Sequence, residues 1–343
     1  MNQKNRVFYQ VIKITIVMLL LMILILSFVG CSTASKIDKL IQELKSKDAQ
    51  VQNKAAEELA KIGEPAVEAL IAVLKDKEES VRMYAERALN KIGEPAVEGL
   101  IEALKDENVN VRLISSRILS EVEDERIIEP LINALREEEP NVRMYAERGL
   151  KNIGEPAIES LILALTDENI TVRISVSRIL SEVDDTRIIE PMVNALRDEE
   201  SNVRMHAERG LKKMGNSSIE ALITVLKDEN ENVRVASSRI LSEVEDTIII
   251  EPLIIAMKDE NERVRMYAQR GLFNMGELAI DPLIVALTDE NLNICLGAVQ
   301  ILSIIEDPRV IEPLTAALKD EDPSVRMYAE RGLKNMGVTI TKP

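Results

Sequence analysis

Tryptophan is absent from this 343-residue chain, and three phenylalanines and five tyrosines are its only aromatic residues. Any sizeable core must therefore be aliphatic, which favours packed helices over an aromatic-rich fold. Two cysteines, Cys31 and Cys295, cannot make a framework of disulfides, so stability has to come from packing. Histidine occurs once, at His206, and a zinc or iron site needs several His, Cys or convergent carboxylate ligands. No metal and no cofactor are expected. Nucleophilic catalysis is short of parts as well: Cys295 has no histidine in its own stretch of chain and reads as a buried or inert thiol. Basic residues are outnumbered, 43 Lys and Arg against 59 Asp and Glu, for a formal net charge of −16. The first thirty residues hold Lys4, Arg6 and Lys13 and no acid, so the remainder carries 40 basic and 59 acidic residues, a balance of −19. A body of that charge repels nucleic acid and anionic membrane as a whole.

What is present at the N-terminus is a targeting pattern: a basic start, an uninterrupted apolar run from Ile16 to Leu26, then Ser27-Phe28-Val29-Gly30-Cys31. The run and the small residues before Cys31 resemble a lipoprotein signal, in which Cys31 becomes the lipid-bearing first residue. Phe28 stands where leucine is usual. The alternative is an uncleaved anchor, because Ile14 to Gly30 is 17 residues, the lower limit for crossing a bilayer. Both readings leave the chain beyond about residue 32 outside the cytoplasmic membrane, since the basic flank stays inside. Ser32, rather than Asp, favours an outer membrane where there are two.

The rest of the chain is repetitive. Equivalent apolar residues recur at Leu44, Leu74, Leu104, Leu135, Leu165, Leu196, Leu226, Met257, Leu287 and Leu318, spaced 30 or 31 residues apart. Length alone allows two or three ordinary domains, but this period signals ten stacked copies of one unit, from Ile37 to Gly337. The organisation predicted is a signal over 1–30, a short linker over 31–36, an all-α solenoid over 37–337 and a tail over 338–343. Each repeat holds two amphipathic helical stripes. Val97, Leu100, Ile101 and Leu104 form the first, with Pro95 near its start, and Val81, Ala85, Leu89 and Ile92 form the second, ended by Gly93. Neither stripe can be buried alone, so neighbours must stack. Even repeats carry RMYAER or a close variant. Odd ones from the third carry sequences such as VRLISSRILSEVED, so the working module is a pair of 61 residues.

The pattern EPAVEALIAVLKD followed by VRxxAxxAL and KIG resembles HEAT repeats of the phycobilisome-lyase-like type, over essentially the whole chain after Ile37. That resemblance implies an α-solenoid serving mostly as scaffold, and a structural ladder of an acid after the first helix with an arginine opening the second. The matching pairs are Asp76 and Arg82, Asp106 and Arg112, Asp167 and Arg173, Asp198 and Arg204, Asp228 and Arg234, Asp259 and Arg265, and Asp320 and Arg326. Glu137 substitutes beside Arg143. Repeat 1 departs, with Ser46 and Gln52, as a cap would. Repeat 9 departs with Cys295, Gly297 and Gln300, which marks either a weak point or drift. After Gly337 nothing covers the last helix, so self-association there is expected. Hydroxylases with HEAT folds carry His-Glu pairs, whereas Ala207 follows His206 here. The resemblance also raises bilin-lyase or enzyme-accessory activity, which the export signal disfavours.

On a helical wheel with Val81 at zero, the buried stripe centres at about 20°, and Met83 and Arg87 fall at about 200° and 240°, away from the core. In solenoids that resemble HEAT arrays this side lines the concave surface. Met83, Leu113, Met144, Ile174, Met205, Val235, Met266, Leu296 and Met327 share the first position. Arg87, Arg117, Arg148, Arg178, Arg209, Arg239, Arg270 and Arg331 share the second. An apolar strip flanked by guanidinium groups is thus expected in nine successive repeats. Odd-repeat arginines have a glutamate four residues on, Glu121, Glu182 or Glu243, whereas even ones face Lys91, Asn152, Lys213, Asn274 or Asn335. Two readings stay open. The strip is either covered by arginine stems paired with neighbouring acids, or is a ligand surface of the Met, Arg and Tyr mixture found at protein interfaces. Tyr84, Tyr145, Tyr267 and Tyr328 lie at its border, closing the packing or anchoring a ligand; His206 replaces tyrosine once. The function expected is a non-catalytic scaffold for a protein or peptide partner, with a passive spacer as the alternative.

Overall fold

The computed structural model describes residues 33–339, which are helical throughout with no strand; Cys31 and the targeting segment lie outside them. The architecture is the expected α-solenoid. Each repeat from the second begins with a one-turn 3-10 helix, continues as a short α-helix, and returns through a second, longer helix, as in Glu94–Ala96, Val97–Ala103 and Val109–Leu119. The chain divides between Ser160 and Leu161 into two compact halves. A single array was expected from the periodicity. In an array where each repeat touches only its neighbours, contacts are nowhere concentrated in one centre.

Local sequence explains the repeat. Gly93 ends the preceding helix at φ 69°, a conformation that other residues adopt only with strain, and its N–H donates to Leu89 O. Pro95 then fits the opening 3-10 turn, where an amide hydrogen is not needed. After the first helix the chain turns at Asp106, whose Oδ1 accepts the Asn108 N–H at 2.8 Å, and Asn108 caps the next helix by accepting from Asn110 N–H. Leu70, Leu89, Leu100 and Leu119 are fully buried, so the core is a continuous aliphatic layer between first and second helices.

The two-repeat module is visible in the packing. From the third repeat on, odd second helices such as Glu231–Leu241 are shorter than even ones such as Glu262–Asn274, and end in a serine whose hydroxyl folds back: Ser242 Oγ donates to Arg239 O at 2.7 Å. The next even helix crosses close to that serine, where Gly271 leaves room, and Asn274 Nδ2 donates to Ser242 O at 3.0 Å. Gly149 with Ser120 and Gly332 with Ser303 repeat the arrangement.

The arginines matched to the ladder bond first to their own backbone. Arg82, Arg112, Arg143, Arg173, Arg204, Arg234, Arg265 and Arg326 each donate Nη1 to the backbone carbonyls of their own loop, not to the carboxylate of the matching Asp. In odd repeats the guanidinium also reaches the acid of the following repeat: Arg112 binds Glu137 at 2.9 Å, Arg173 binds Asp198 and Arg234 binds Asp259, both at 2.8 Å. The carboxylates of Asp76 and Asp106 are held from the other side by Lys45 and Lys75, and that of Asp228 by Arg197. The cause is geometric, because a carboxylate turned back to cap its own loop cannot also face the arginine six residues on. At the terminal repeat Gln52 Nε2 donates to Leu44 O at 2.9 Å, and in repeat 9 Cys295 Sγ donates to Leu287 O at 3.1 Å, so each fills the arginine position and bonds a carbonyl two residues earlier than the arginines do.

Candidate functional site: the methionine and arginine face

The five even-repeat methionines point outward as the wheel requires. Met83, Met144, Met205, Met266 and Met327 are each 50–55% exposed, an unusual state for large apolar side chains at one repeated position. The strip does not extend through nine repeats. Leu113, Ile174 and Leu296 are half-buried and Val235 is buried. Tyr84, Tyr145, Tyr267 and Tyr328 are half-buried beside the methionines. The Arg117 guanidinium stands 6.0 Å from the ring centre of Tyr145, and Arg239 stands 5.9 Å from that of Tyr267. Tyr145 and Tyr267 therefore sit between an odd helix and the even helix after it, and carry a cation on one face.

The arginine row pairs in another way than its spacing suggested. Arg117 binds Glu86 of the preceding repeat, its Nε donating at 2.7 Å, and Arg239 binds Glu208 through Nη2; neither turns to the glutamate four residues on. Glu121 is instead taken by Arg148 at 2.7 Å, and Glu243 by Lys212. Lateral contacts between packed helices leave less side-chain freedom to be lost than a bridge along one exposed helix, so they prevail. Arg148 thus has an acid after all, and Arg87 Nη1 donates to Asn53 Oδ1 at 2.8 Å. Arg209, Arg270 and Arg331 have neither an ion pair nor a hydrogen bond among the described residues. All three lie in the half Leu161–Pro343, one helical turn after Met205, Met266 and Met327. His206, half-buried, sits among them in the tyrosine position.

Shallow hollows mark this face in the N-terminal half. One of about 570 Å³ is lined by Met83, Glu86, Leu113 and Arg117, and one of about 370 Å³ by Met83, Arg87 and Lys91. A larger groove, about 830 Å³, opens on the first-helix side of repeats 7 and 8, where Ile223, Thr224, Pro252 and Ile255 form the floor and Arg234 with Asp259 one end. Periodicity did not reveal it. There the first helix stops at Thr224 and tightens into the 3-10 turn Val225–Lys227, which Val225 does not explain, since Val73 at the same position in repeat 2 stays α-helical.

No group of three or more metal-binding side chains exists among the described residues. Cys295 is buried, and desolvation, helped by the carboxylates of Asp320, Asp322 and Asp289, pushes its thiol up to about 11, away from nucleophilic use.

The family described as "HEAT repeats" matches residues 37–98, 97–162, 158–242 and 250–334. This chain is a HEAT-repeat protein. No curated protein matches it. Solved structures similar to this HEAT-repeat protein include an engineered protein, 20% identical with a TM-score of 0.35, covering 88% of this chain and 99% of that one. Yeast importin-beta (Kap95p) is 15% identical with a TM-score of 0.40, covering 88% and 50%, and Kap121p bound to Ste12p is 16% identical with a TM-score of 0.45, covering 88% and 41%. The chain spans about half the length of these karyopherin structures or less, and the likeness at such identities is one of fold.

Proposed function

We propose that this HEAT-repeat protein is a non-catalytic scaffold, held at the outer face of a cell membrane through its N-terminal segment, that binds a protein or peptide on the methionine and arginine face of its second helices. The observation that carries the reading is the repeated exposure of Met83, Met144, Met205, Met266 and Met327 at one helical position, each with an arginine one turn away. Exposed apolar side chains recurring within each half, rimmed by cations, suit a partner with apolar and acidic groups. The acidic body around them makes such a cationic rim selective rather than general. The phycobilisome-lyase-like character of the repeats adds to the scaffold reading and supplies no catalytic group. Membrane attachment rests on the sequence before Cys31, and no described helix is long and apolar enough to cross a bilayer.

A photo-crosslinking residue placed at Met266 of the full-length chain in cells should form discrete adducts, and one at Glu251, exposed on a first helix, should not. Equal labelling from the two positions removes the docking reading. Attachment is checked separately: incorporation of an alkyne fatty acid should be lost in Cys31→Ser, and unaltered incorporation excludes lipidation there.

A further inference from the structure

Charge on the docking face of the C-terminal half is periodic with every second repeat, and this periodicity constrains the partner. The second helices of repeats 6 to 10 pack side by side in order. Repeats 6, 8 and 10 present Arg209, Arg270 and Arg331, exposed and without a partner among the described residues. Between the first two, Arg239 is neutralised by Glu208 and stacked on Tyr267. Between the last two the same ion pair is replaced at both positions by uncharged residues, Gln269 and Gln300. At the arginine position odd layers are thus neutral by two different chemical routes, and even layers each offer an unspent guanidinium one turn after an exposed methionine.

We infer that this half binds an extended acidic segment whose carboxylates are two repeats apart, with apolar side chains between them; the inference rests on the docking reading above. Packed helices lie roughly 8–10 Å apart, so consecutive unpaired arginines are about 16–20 Å apart, a distance that extended chain covers in about five or six residues. All three arginines fall within about a dozen residues of such a segment. The methionine and arginine files run side by side at about 5–6 Å, the width of one extended chain, whereas a helix is about 10 Å across. The N-terminal half does not share the pattern, since Arg148 is held by Glu121 and Arg87 by Asn53.

Fluorescent peptides of about 13 residues with glutamates about six apart and leucines between are to be titrated against the full-length chain in detergent at low salt. They should bind about tenfold tighter than peptides of the same composition with the glutamates clustered, because only spaced carboxylates engage all three arginines. Each of Arg209→Gln, Arg270→Gln and Arg331→Gln should weaken binding by about two- to fivefold, the scale of an exposed ion pair, while Arg309→Gln, in the turn that opens a first helix, should leave it unchanged. Equal binding of spaced and clustered peptides overturns the spacing, and tighter binding of a longer helix-forming acidic peptide overturns the extended occupant. Failure of every acidic peptide while Met266 still crosslinks removes the acidic partner and leaves the docking reading standing. Failure of both removes the two together.

Discussion

At Gly271 a single added methyl carbon would stand 2.6 Å from Leu253 Cδ1 and 3.0 Å from Ser242 Cα, closer than packed atoms tolerate. Gly271→Ala should therefore cost about 1–3 kcal/mol, outweighing the gain of about 1 kcal/mol in helix propensity. A lower urea midpoint for the variant is the check; a raised midpoint would mean the helices separate without cost. In repeat 2 the same position is Ala88, fully buried, which shows that the requirement comes from the neighbour and not from the helix itself. Cys295 makes a second residue-scale case. Its thiol titrates near 11 in the fold against an ordinary 9.0, so the native state holds the proton longer than the unfolded chain. The stability this contributes is fully present below about pH 9 and is lost as pH rises through about 11. Cys295→Ala should accordingly lose less stability than the parent protein over that interval in thermal melts, and identical pH profiles would contradict the assignment.

Among elements, the arginine that opens the second helix of a repeat does different amounts of work in different repeats. Arg234 is nearly buried and joins two loop carbonyls to Asp259 and Glu260 of the next repeat, which hold the guanidinium above its ordinary pKa, hydrogen bonding to Asp259 first. Arg326, in the last repeat, keeps only the loop carbonyls, at 2.7 and 2.8 Å, and is exposed. Arg234→Met should cost about 3–5 kcal/mol by leaving Asp259 unpaired in a nearly closed site. Arg326→Met should cost about 1 kcal/mol, the scale of ordinary hydrogen bonds. Chemical denaturation of the two variants side by side tests the ordering, which fails if their midpoints coincide.

For the whole molecule, the unit that can be added or removed is two repeats. Deleting residues 216–276 joins Gly215 to Glu277 in the register that Gly276 has now, and again seats an even helix on an odd one. That protein should remain folded, with a melting temperature within a few degrees, because a solenoid's stability is close to a sum over neighbouring contacts. Deleting 216–246 alone brings two even helices together, so that Gly271 loses Ser242 as its neighbour. Its melting temperature should fall much further, by about 10 °C or more, since an ill-fitting junction costs several kcal/mol. Differential scanning calorimetry of both deletions decides whether the pair or the single repeat is the cooperative module.

The sequence by itself determined the secondary structure, the repeat length, the aliphatic core and the outward aim of Met83 and its equivalents, because each of these follows from periodicity along one helix. It also marked repeats 1 and 9 as exceptions, and the bonds of Gln52 and Cys295 to carbonyls eight residues back give the reason. Which arginine meets which acid was not legible. Spacing along the chain pointed Arg117 to Glu121, yet the partner is Glu86, 31 residues away on the adjoining helix. Ion pairs between elements depend on how far neighbouring helices overlap, and that is set by contacts such as Gly149 against Ser120. Only the tertiary structure therefore decided that Val235 is covered and that Arg148 is bound, and it alone left Arg209, Arg270 and Arg331 open to a partner.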